Sequence, residues 1–345
     1  MVNGRLSPTS ATGTKQERIA SRIICRLPCQ SLPLISPQPF SRRFLTAMSF
    51  PIVLVPTASV VGDEQLGSKR KFWYTQDDEL WLFKESRDGT GEDWAEKLAY
   101  EVATSISIPA ATVELAALNG RRGSTSRSFM PENTALVHGN EILANRILGY
   151  DREKKLRQSD HTFENIVSAI RQLSDDANVE TLLEQLAGYL VLDALICNTD
   201  RHHENWGILF HSQVQLDTGQ VAISYKTIAP SFDHASSLGR ELRDERRLQI
   251  IQEKRIEDYI RRGRGGIYLR STDPHGANPM HLIDVANRFF PSYFRPALKQ
   301  VAQTPSDRLT GLADRVPDER ISNTGRDFVR ALLTMSHSML TKLVE

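Results

Sequence analysis

A change in hydrophobic pattern near Pro131 is the feature that most limits how this chain can fold. Before Pro131, short aromatic and apolar runs alternate with turn-forming residues, a pattern typical of β-strands, and one helical segment interrupts them. After Pro131, apolar residues mostly recur at helical spacing, most regularly from 182 to 197. The sequence therefore predicts an α+β chain of two lobes: a small β-rich N-lobe and a larger, mainly helical C-lobe, with a cleft that suits a small ligand.

Within the small lobe, a helix is predicted between two pairs of strands. The helix is indicated by Trp94, Leu98 and Val102, which recur at helical spacing behind a first turn rich in acids. The turn-forming Asn119 and Gly120 separate the two later strands. The predicted elements, in chain order, are strands at 72–74 and 80–84, a helix at 91–105, strands at 112–118 and 125–130, and one later hairpin between Trp206 and Tyr225.

The first 50 residues differ in composition from the rest of the chain. They hold seven Lys or Arg and the single acid Glu17 among many Ser, Thr and Pro, without a helical or strand period. The segment is predicted to be a disordered basic leader, and a targeting peptide or a true start at Met48 are the alternatives. The predicted domain limits are 1–50 for the leader, 51–131 for the N-lobe and 132–345 for the C-lobe.

Overall composition limits the classes of function. The 345 residues carry 43 basic and 42 acidic side chains, a net charge of +1, which argues against direct binding of a nucleic-acid backbone. No apolar run reaches the roughly 18 residues that a membrane-spanning helix needs. The three cysteines, an odd number in a long chain, favour a reducing compartment, and the sequence predicts a cytoplasmic protein.

The segment from Asn198 to Asn205 carries the residues best suited to chemistry. It directly follows the apolar helix, and Asp200 and Asn205 have four residues between them. That is the spacing of the catalytic loop of protein kinases, in which the Asp orients the substrate hydroxyl and the Asn binds magnesium. Asp233 lies beyond the following hairpin, where a metal-binding acid can fold back beside Asn205.

A lysine of the small lobe completes this set. Lys84 ends the second predicted strand, where a long cationic side chain can reach phosphate groups across the cleft. On the predicted helix, Glu96 is the preferred ion-pair partner of Lys84, and Glu92, one turn earlier, is the alternative. Each of these residues also has an ordinary interpretation, as a solvated strand end, a turn or a helix-terminal acid. Their order along the chain favours catalysis.

Two motifs connect the chain with a known family. N-T-D-R-H-H-E-N at 198–205, followed by A-P-S-F-D ending at Asp233, resembles the N-x-D-x-H-x-K-N and A-P-x-x-D motifs of HipA-like kinases, including the short CtkA-type serine/threonine kinases. Judged by element order, the resemblance extends over about 66–340. It implies a protein-kinase-like fold that transfers the γ-phosphoryl group of ATP to a hydroxyl, with Mg²⁺ as cofactor.

The resemblance also implies roles for individual residues. Asp200 is the expected catalytic base, and Asn205 and Asp233 are the expected magnesium ligands. Lys84 is expected to contact the phosphates, and His202 to support the loop. The other residues implied in ATP binding are Gly67, Ser68 and Lys71 in a phosphate-binding loop, with Ser68 also a candidate autophosphorylation site, and Ser128, Phe129 and Met130 at a hinge against the adenine.

Departures from the family pattern leave other interpretations open. Glu204 replaces the motif's Lys, the phosphate-binding segment has a single Gly, and the accessory N-terminal subdomain of the longer toxins is not recognisable. A protein Ser or Thr is the expected acceptor, and an antitoxin-like protein is a candidate partner. A lipid or small-molecule kinase and a nucleotide-binding pseudokinase are the alternatives. The basic run 240–264, with nine Lys or Arg against six acids, is expected to be a solvated face, and binding of an acidic partner is the alternative.

Overall fold

The computed structural model describes residues 48–56, 60–63, 70–155, 157–173, 178–214 and 221–344, all within one compact unit that spans 46–345. Gly67 and Ser68 of the predicted phosphate-binding loop, and the predicted leader up to residue 47, lie outside the described residues. Phe50, the last residue assigned to the leader, is buried, and its backbone N–H donates to the carbonyl O of Arg315 at 2.6 Å. The folded part of the chain therefore includes Phe50.

The small lobe is a six-stranded sheet with one long helix. Its elements are β1 (Ile52–Leu54), β2 (Val60–Asp63), β3 (Lys71–Gln76), β4 (Glu79–Glu85), α1 (Glu92–Ser105), β5 (Val113–Leu118) and β6 (Arg121–Arg127). The spatial order of the strands is β1-β5-β6-β4-β3-β2. β1 and β5 are parallel, and the other neighbouring strands are antiparallel.

The β3–β4 hairpin forms because its turn residues tolerate an unusual backbone. Asp77 and Asp78 have positive φ angles of 52° and 61°, as a two-residue turn between antiparallel strands requires. Aspartate tolerates this conformation better than most residues do. Behind the turn, the rings of Phe72, Tyr74 and Phe83 are buried, which fixes the register of the two strands.

The helix α1 packs its apolar side against β5 and β6. Trp94 and Leu98 are buried, as their helical spacing predicts. At the start of the helix, the buried carboxylate of Asp93 forms ion pairs of 2.8 Å with Arg122 and Arg320. Because Arg122 belongs to β6 and Arg320 to the C-terminal part of the chain, Asp93 connects the sheet with the large lobe.

The large lobe combines a small sheet with a group of helices. The sheet is antiparallel, in the order β7 (Thr134–His138), β8 (Gly207–Val214), β9 (Val221–Ile228). The helices are α2 (Gly139–Arg146), α3 (Phe163–Leu173), α4 (Val179–Ile196), α5 (Asp244–Gln252), α6 (Ile256–Arg262), α7 (Pro279–Phe289), α8 (Pro291–Gln303), α9 (Ser306–Thr310) and α10 (Asn323–Thr341).

The centre of the large lobe is α4, which packs against α7, α8 and α10. Most of its residues are buried, as expected of a helix that is apolar on every side from Leu186 onward. Within the described residues, no helix is long and apolar enough to cross a membrane. The predicted α+β architecture of a small β-rich lobe and a larger helical lobe is confirmed.

The sheets differ from the prediction in three places. The prediction of a single hairpin in the large lobe is wrong, because β7 adds a third strand beside β8. β1 and β2 are not predicted, because strands of three and four residues are too short to show a period. The strand predicted at 125–130 is β6, which begins at Arg121 and ends at Arg127, so that 128–130 lie beyond the sheet.

Backbone hydrogen bonds also join the two lobes close to Asp233. Ser231, beyond β9, forms an isolated parallel bridge with Ala110, beyond α1. The N–H of Ala111 donates to the Ser231 carbonyl at 2.9 Å, and the N–H of Ser231 donates to the Pro109 carbonyl at 3.0 Å. The segment that leads to Asp233 is therefore attached to the small lobe.

Candidate active site

The predicted catalytic loop leaves α4 through a left-handed residue. Cys197 has a φ of 54°, and the N–H of the next residue, Asn198, donates to the carbonyl O of Asp193 at 2.8 Å. The Asn198 side chain donates to Asp193 Oδ1 at 2.8 Å and accepts from the backbone N–H of Asp200 at 3.1 Å. These bonds fix the turn that follows α4 and thereby hold Asp200 just beyond the end of the helix.

Asp200 and Asn205, which are predicted to act together, lie in one tight turn. Asn205 Nδ2 donates to the carbonyl O of Asp200 at 2.7 Å, and the N–H of His202 donates to the same carbonyl at 2.8 Å. His202 Nδ1 accepts from the N–H of Glu204 at 3.2 Å, a contact that supports the loop. Because the amide nitrogen of Asn205 is bound within the loop, its amide oxygen is the atom suited to a cation.

A buried arginine that the sequence analysis does not single out holds this loop in place. Arg201 is 3% exposed and donates to both carboxylate oxygens of Asp193, at 2.7 and 2.8 Å. It also donates to the carbonyl O of Asn205 at 2.6 Å and to Ser231 Oγ at 2.8 Å. Such bidentate pairs fix geometry strongly. One guanidinium therefore joins α4, the loop and the segment before Asp233.

Asp233 and Lys84 meet where the two lobes join. Lys84 Nζ lies 2.9 Å from Asp233 Oδ1. Asp233 has a φ of 61°, a left-handed conformation that is uncommon for a residue other than glycine and that clusters at functional sites. On the sheet, Lys84 lies directly opposite Lys71, so two cationic residues stand at the same end of the hairpin. This combination of charges suits the binding of phosphate groups.

The two acids considered as partners of Lys84 occupy different places on α1. Glu96 is 1% exposed, and its Oε1 accepts from the backbone N–H of His234, the residue after the candidate metal-binding Asp. The carboxylate of Glu92 accepts from two arginines, Arg87 and Arg240. Glu96 thus lies closer to the candidate site, and its pairing with Lys84 stays a prediction.

The charge of Asp200 is set by its neighbours. Ser236 Oγ donates to Asp200 Oδ2 at 3.4 Å, and Arg240 Nη2 donates to Ser236 Oγ at 3.2 Å. Although Asp200 is accessible to solvent, loss of hydration around its carboxyl raises its pKa; His202 opposes this shift, and the charge of Asp233 adds to it. A carboxylate whose pKa is raised is a better proton acceptor.

The residues predicted to form the hinge directly follow β6. The N–H of Ser128 donates to the carbonyl O of Leu80 at 2.8 Å, which continues the sheet's hydrogen bonding by one residue. The ring of Phe129 stacks on Phe232, with 5.5 Å between centroids, and Met130 is exposed. The hinge therefore contacts the residue before the candidate metal-binding Asp, and its contact with an adenine stays a prediction.

Beneath the catalytic loop lies a buried group of aromatic and histidine side chains. Trp206 Nε1 donates to His161 Nε2 at 3.1 Å, so the proton of His161 is on Nδ1, which donates to the Gly266 carbonyl at 2.9 Å. His203 Nδ1 is hydrogen-bonded to the hydroxyl of Tyr150 at 2.8 Å. Burial lowers the pKa of His161 to about 3 and that of His203 to about 4.

These two histidines are expected to make the protein less stable in acid. Each is neutral in the folded chain and binds a proton near its ordinary pKa of 6.5 when the chain unfolds. Their contribution is therefore present above pH 6.5 and is lost as the pH falls towards about 4 for His203 and about 3 for His161, at up to about 1.4 kcal/mol per pH unit for each histidine. Urea unfolding across this range would measure the slope. His203→Gln should reduce it, exposed His275→Gln should not, and equal slopes in all three proteins would contradict the assignment.

The structure brings together four of the predicted residues, Lys84, Asp200, Asn205 and Asp233. The contacts that hold them come mainly from residues that the sequence analysis passes over, namely Asp193, Arg201, Ser231 and Ser236. A signal for Asp193 and Arg201 exists in the sequence, because Asp193 is the one acid within the apolar stretch 186–197. A buried acid requires a cation, and Arg201 is the nearest one along the chain.

The fold and the site have the architecture of kinase-type phosphotransferases. In that architecture a sheet-based lobe supplies a lysine, and a helical lobe supplies a loop with Asp and Asn and a later Asp. The chain belongs to the family of HipA-like C-terminal domains, whose sequence model matches residues 60–289. The family predicted from the two motifs is thereby confirmed.

Solved structures share the fold of this chain. The chain is similar to the proinflammatory kinase CtkA of Helicobacter pylori, with a TM-score of 0.69 and 16% identity over 85% of this chain and 99% of that chain. It is also similar to HipA of Shewanella oneidensis, solved with HipB and its operator DNA, with a TM-score of 0.50 and 11% identity over 83% of this chain and 65% of that chain. The kinase-like fold is confirmed. No curated protein sequence matches the chain.

Proposed function

We propose that this protein is a cytoplasmic, ATP-dependent kinase that transfers the γ-phosphoryl group to a protein Ser or Thr hydroxyl. The observation that carries the proposal is the convergence of Lys84, Asp200, Asn205 and Asp233 from three separate segments of the chain. Packing does not require this convergence, because the side chains of Lys84, Asp200 and Asp233 remain accessible to solvent. Accessible charges held in fixed positions favour a catalytic role.

The donor atoms fit a magnesium ion bound together with ATP. The carboxylate of Asp233 and the amide oxygen of Asn205 are the oxygen ligands that Mg²⁺ prefers, and such sites leave the other positions to water and phosphate oxygens. Bound Mg²⁺ would supply neutralisation of the phosphate charge. Lys84, already held by Asp233, would contact the phosphates from the small lobe, with Lys71 beside it.

In the transfer itself, Asp200 would orient the acceptor hydroxyl and accept its proton. The hydrogen bonds from Asn198 and Ser236 hold Asp200 in one place, and its raised pKa improves it as a base. Arg201 acts through Asp193 and Asn205 and is therefore a positioning residue. The resemblance to the family adds four further parts to this proposal. The adenine would contact Ser128, Phe129 and Met130, and the phosphates would be bound by Gly67 and Ser68. Ser68 would be autophosphorylated, and an antitoxin-like protein would be a partner.

Incubation with labelled ATP tests this function. Purified protein is expected to transfer label to itself or to a mixture of protein acceptors, and removal of Mg²⁺ by a chelator should abolish the transfer. Asp233→Asn should reduce transfer at least about a hundredfold, since it weakens the metal site and the contact with Lys84. Asp307→Asn, on the exposed surface of α9, serves as the matched control and should leave the rate unchanged.

Other outcomes would overturn the proposal in distinguishable ways. A protein that binds ATP and transfers no label would be a pseudokinase. Transfer to a lipid or small alcohol, without transfer to protein, would keep the kinase and exclude the protein acceptor. Failure to bind ATP at all would contradict the assignment of the site.

A further inference from the structure

A cavity of about 690 Å³ lies in the large lobe beside Asp200. Its walls come from the end of α4, the segment from 236 to 246, α6 and the start of α7. Among the described residues, Lys84, Asn205 and Asp233 do not line it, so Asp200 is the residue shared by the cavity and the proposed ATP site. The volume lies within the usual range of ligand pockets. A molecule in this cavity would reach Asp200 without occupying the place of ATP.

The wall of the cavity between α6 and α7 is fixed against the catalytic loop. The buried side chain of Asn278 donates to the carbonyl groups of Ile260 and Gly263, at 2.6 and 3.0 Å. Gly266 packs directly on the loop, because a side chain there would lie 2.7 Å from the carbonyl O of Arg201. The segment between α6 and Gly266 therefore keeps a constant position relative to Asp200.

Arginines dominate the charge of the cavity. Two of the lining arginines are neutralised, since Arg240 pairs with Glu92, and Arg255 pairs with Glu253 and Asp258. In the part of the chain that the structure describes, no carboxylate pairs with the other three, which are Arg246, Arg262 and Arg264. The three acids that line the cavity offset only part of this charge. Asp258 is bound to Arg255, and Asp200 and Glu241 accept hydrogen bonds from the hydroxyls of Ser236 and Tyr259 rather than from these arginines.

We propose that this cavity binds the phosphate acceptor and selects a Ser or Thr within an acidic peptide segment. The proposal rests on the kinase function proposed above and names its substrate class. Guanidinium groups bind carboxylates with two parallel hydrogen bonds, so Arg262 and Arg264 would recognise Glu or Asp side chains next to the acceptor. Buried apolar residues of the wall, Ile250, Ile260 and Met280, would contact the uncharged parts of the peptide.

The transfer of the phosphoryl group forms one bond to phosphorus and breaks another. The hydroxyl oxygen of the peptide forms a bond to the γ-phosphorus of ATP, and the bond between that phosphorus and the bridging oxygen of the β-phosphate breaks. The electron pair of the broken bond leaves with ADP, and the hydroxyl proton goes to Asp200. The basic run 240–264, expected from the sequence to be a solvated face with an acidic partner as the alternative, thus contributes to substrate recognition.

Binding of a matched pair of fluorescent peptides tests the proposal independently of catalysis. One peptide carries a central Ser with Glu on both sides, and the other has Gln in place of every Glu. The protein is expected to bind the acidic peptide at least about tenfold more tightly, measured by fluorescence anisotropy, because two arginines without carboxylate partners each gain one. The double variant Arg262→Gln/Arg264→Gln should lose this preference.

The neighbouring Arg261 provides the control. It is exposed, pairs with Glu257 at 2.7 Å, and does not line the cavity, so Arg261→Gln removes a charge from the same helix without affecting the peptide. With labelled ATP, the double variant should raise the KM for the acidic peptide about tenfold and leave kcat nearly unchanged. Arg261→Gln should change neither constant.

Several results would overturn the proposal. Equal affinity for the two peptides, or a double variant that binds like the wild type, would exclude charge selection by the cavity. Displacement of the acidic peptide by glycerol 3-phosphate, with label transferred to glycerol 3-phosphate alone, would assign the cavity to a small phosphorylated alcohol. Transfer to other proteins but never to the bound peptide would exclude the acceptor role. Absence of transfer to every acceptor would instead overturn the kinase function.

Discussion

Replacement of Asp200 by Asn is expected to lower phosphoryl transfer about a thousandfold while ATP binding changes little. Asn has the size of Asp but cannot accept the proton of the acceptor hydroxyl. Nucleotide binding should persist, because Lys84, Asn205 and Asp233 are unchanged and Asp200 faces the acceptor cavity. Steady-state transfer rates, together with equilibrium binding of a labelled ATP analogue, would measure the two effects separately.

Two further variants provide comparisons for the effect of Asp200→Asn on activity. Asp233→Asn is expected to reduce both the transfer rate and Mg²⁺-dependent ATP binding, since Asp233 holds Lys84 and is the proposed metal ligand. His203→Gln removes a buried support and should cost far less activity than either Asp change. If Asp200→Asn kept a rate within tenfold of the wild type, the assignment of the catalytic base would be wrong.

Replacement of Arg201 by Met is expected to lower the free energy of unfolding by about 3–5 kcal/mol. The change leaves Asp193, which is 2% exposed, as an uncompensated charge in the core of the large lobe. It also removes the hydrogen bonds to Asn205 and Ser231, so activity should fall even in the fraction that remains folded. Urea unfolding followed by circular dichroism would measure the loss of stability.

A double replacement separates the effect of the buried charges on stability from the effect of Arg201 on the geometry of the site. Arg201→Met/Asp193→Asn removes both charges, and it should recover much of the stability but little of the activity, because the loop still lacks its guanidinium. Arg288→Met, at an exposed ion pair with Asp284 on α7, should change the free energy of unfolding by no more than about 1 kcal/mol. Equal losses in Arg201→Met and Arg288→Met would show that the buried pair does not hold the loop.

The parts of the fold that could be predicted from the sequence are those with a long local pattern. α4 extends over 18 residues and α1 over 14, so their apolar residues repeat often enough to be recognised. β1, β2 and β7 have three to five residues each, and their pairing depends on strands elsewhere in the chain. A strand that gains its stability from distant partners leaves little trace in its own sequence.

The candidate site divides in the same way. Asp200 and Asn205 belong to one loop, so their spacing alone indicates that they act together. Lys84 and Asp233 are 149 residues apart, and only the closing of one lobe on the other makes them neighbours. The roles of the arginines in 240–264 could not be predicted either, because the sequence does not show which of them already have carboxylate partners in the fold.

The bridge between Ser231 and Ala110 has a mechanical consequence. The bridge lies two residues before Asp233, so it fixes that segment to the small lobe, which also carries Lys84. Contacts of Phe50 with Arg315 and of Asp93 with Arg320 join the lobes at other places. A lobe that is held at several places cannot swing open as a body attached at one end would. Nucleotide entry and ADP release should therefore proceed by small local movements, and weakening the bridge would alter the rate of product release before it altered the chemistry.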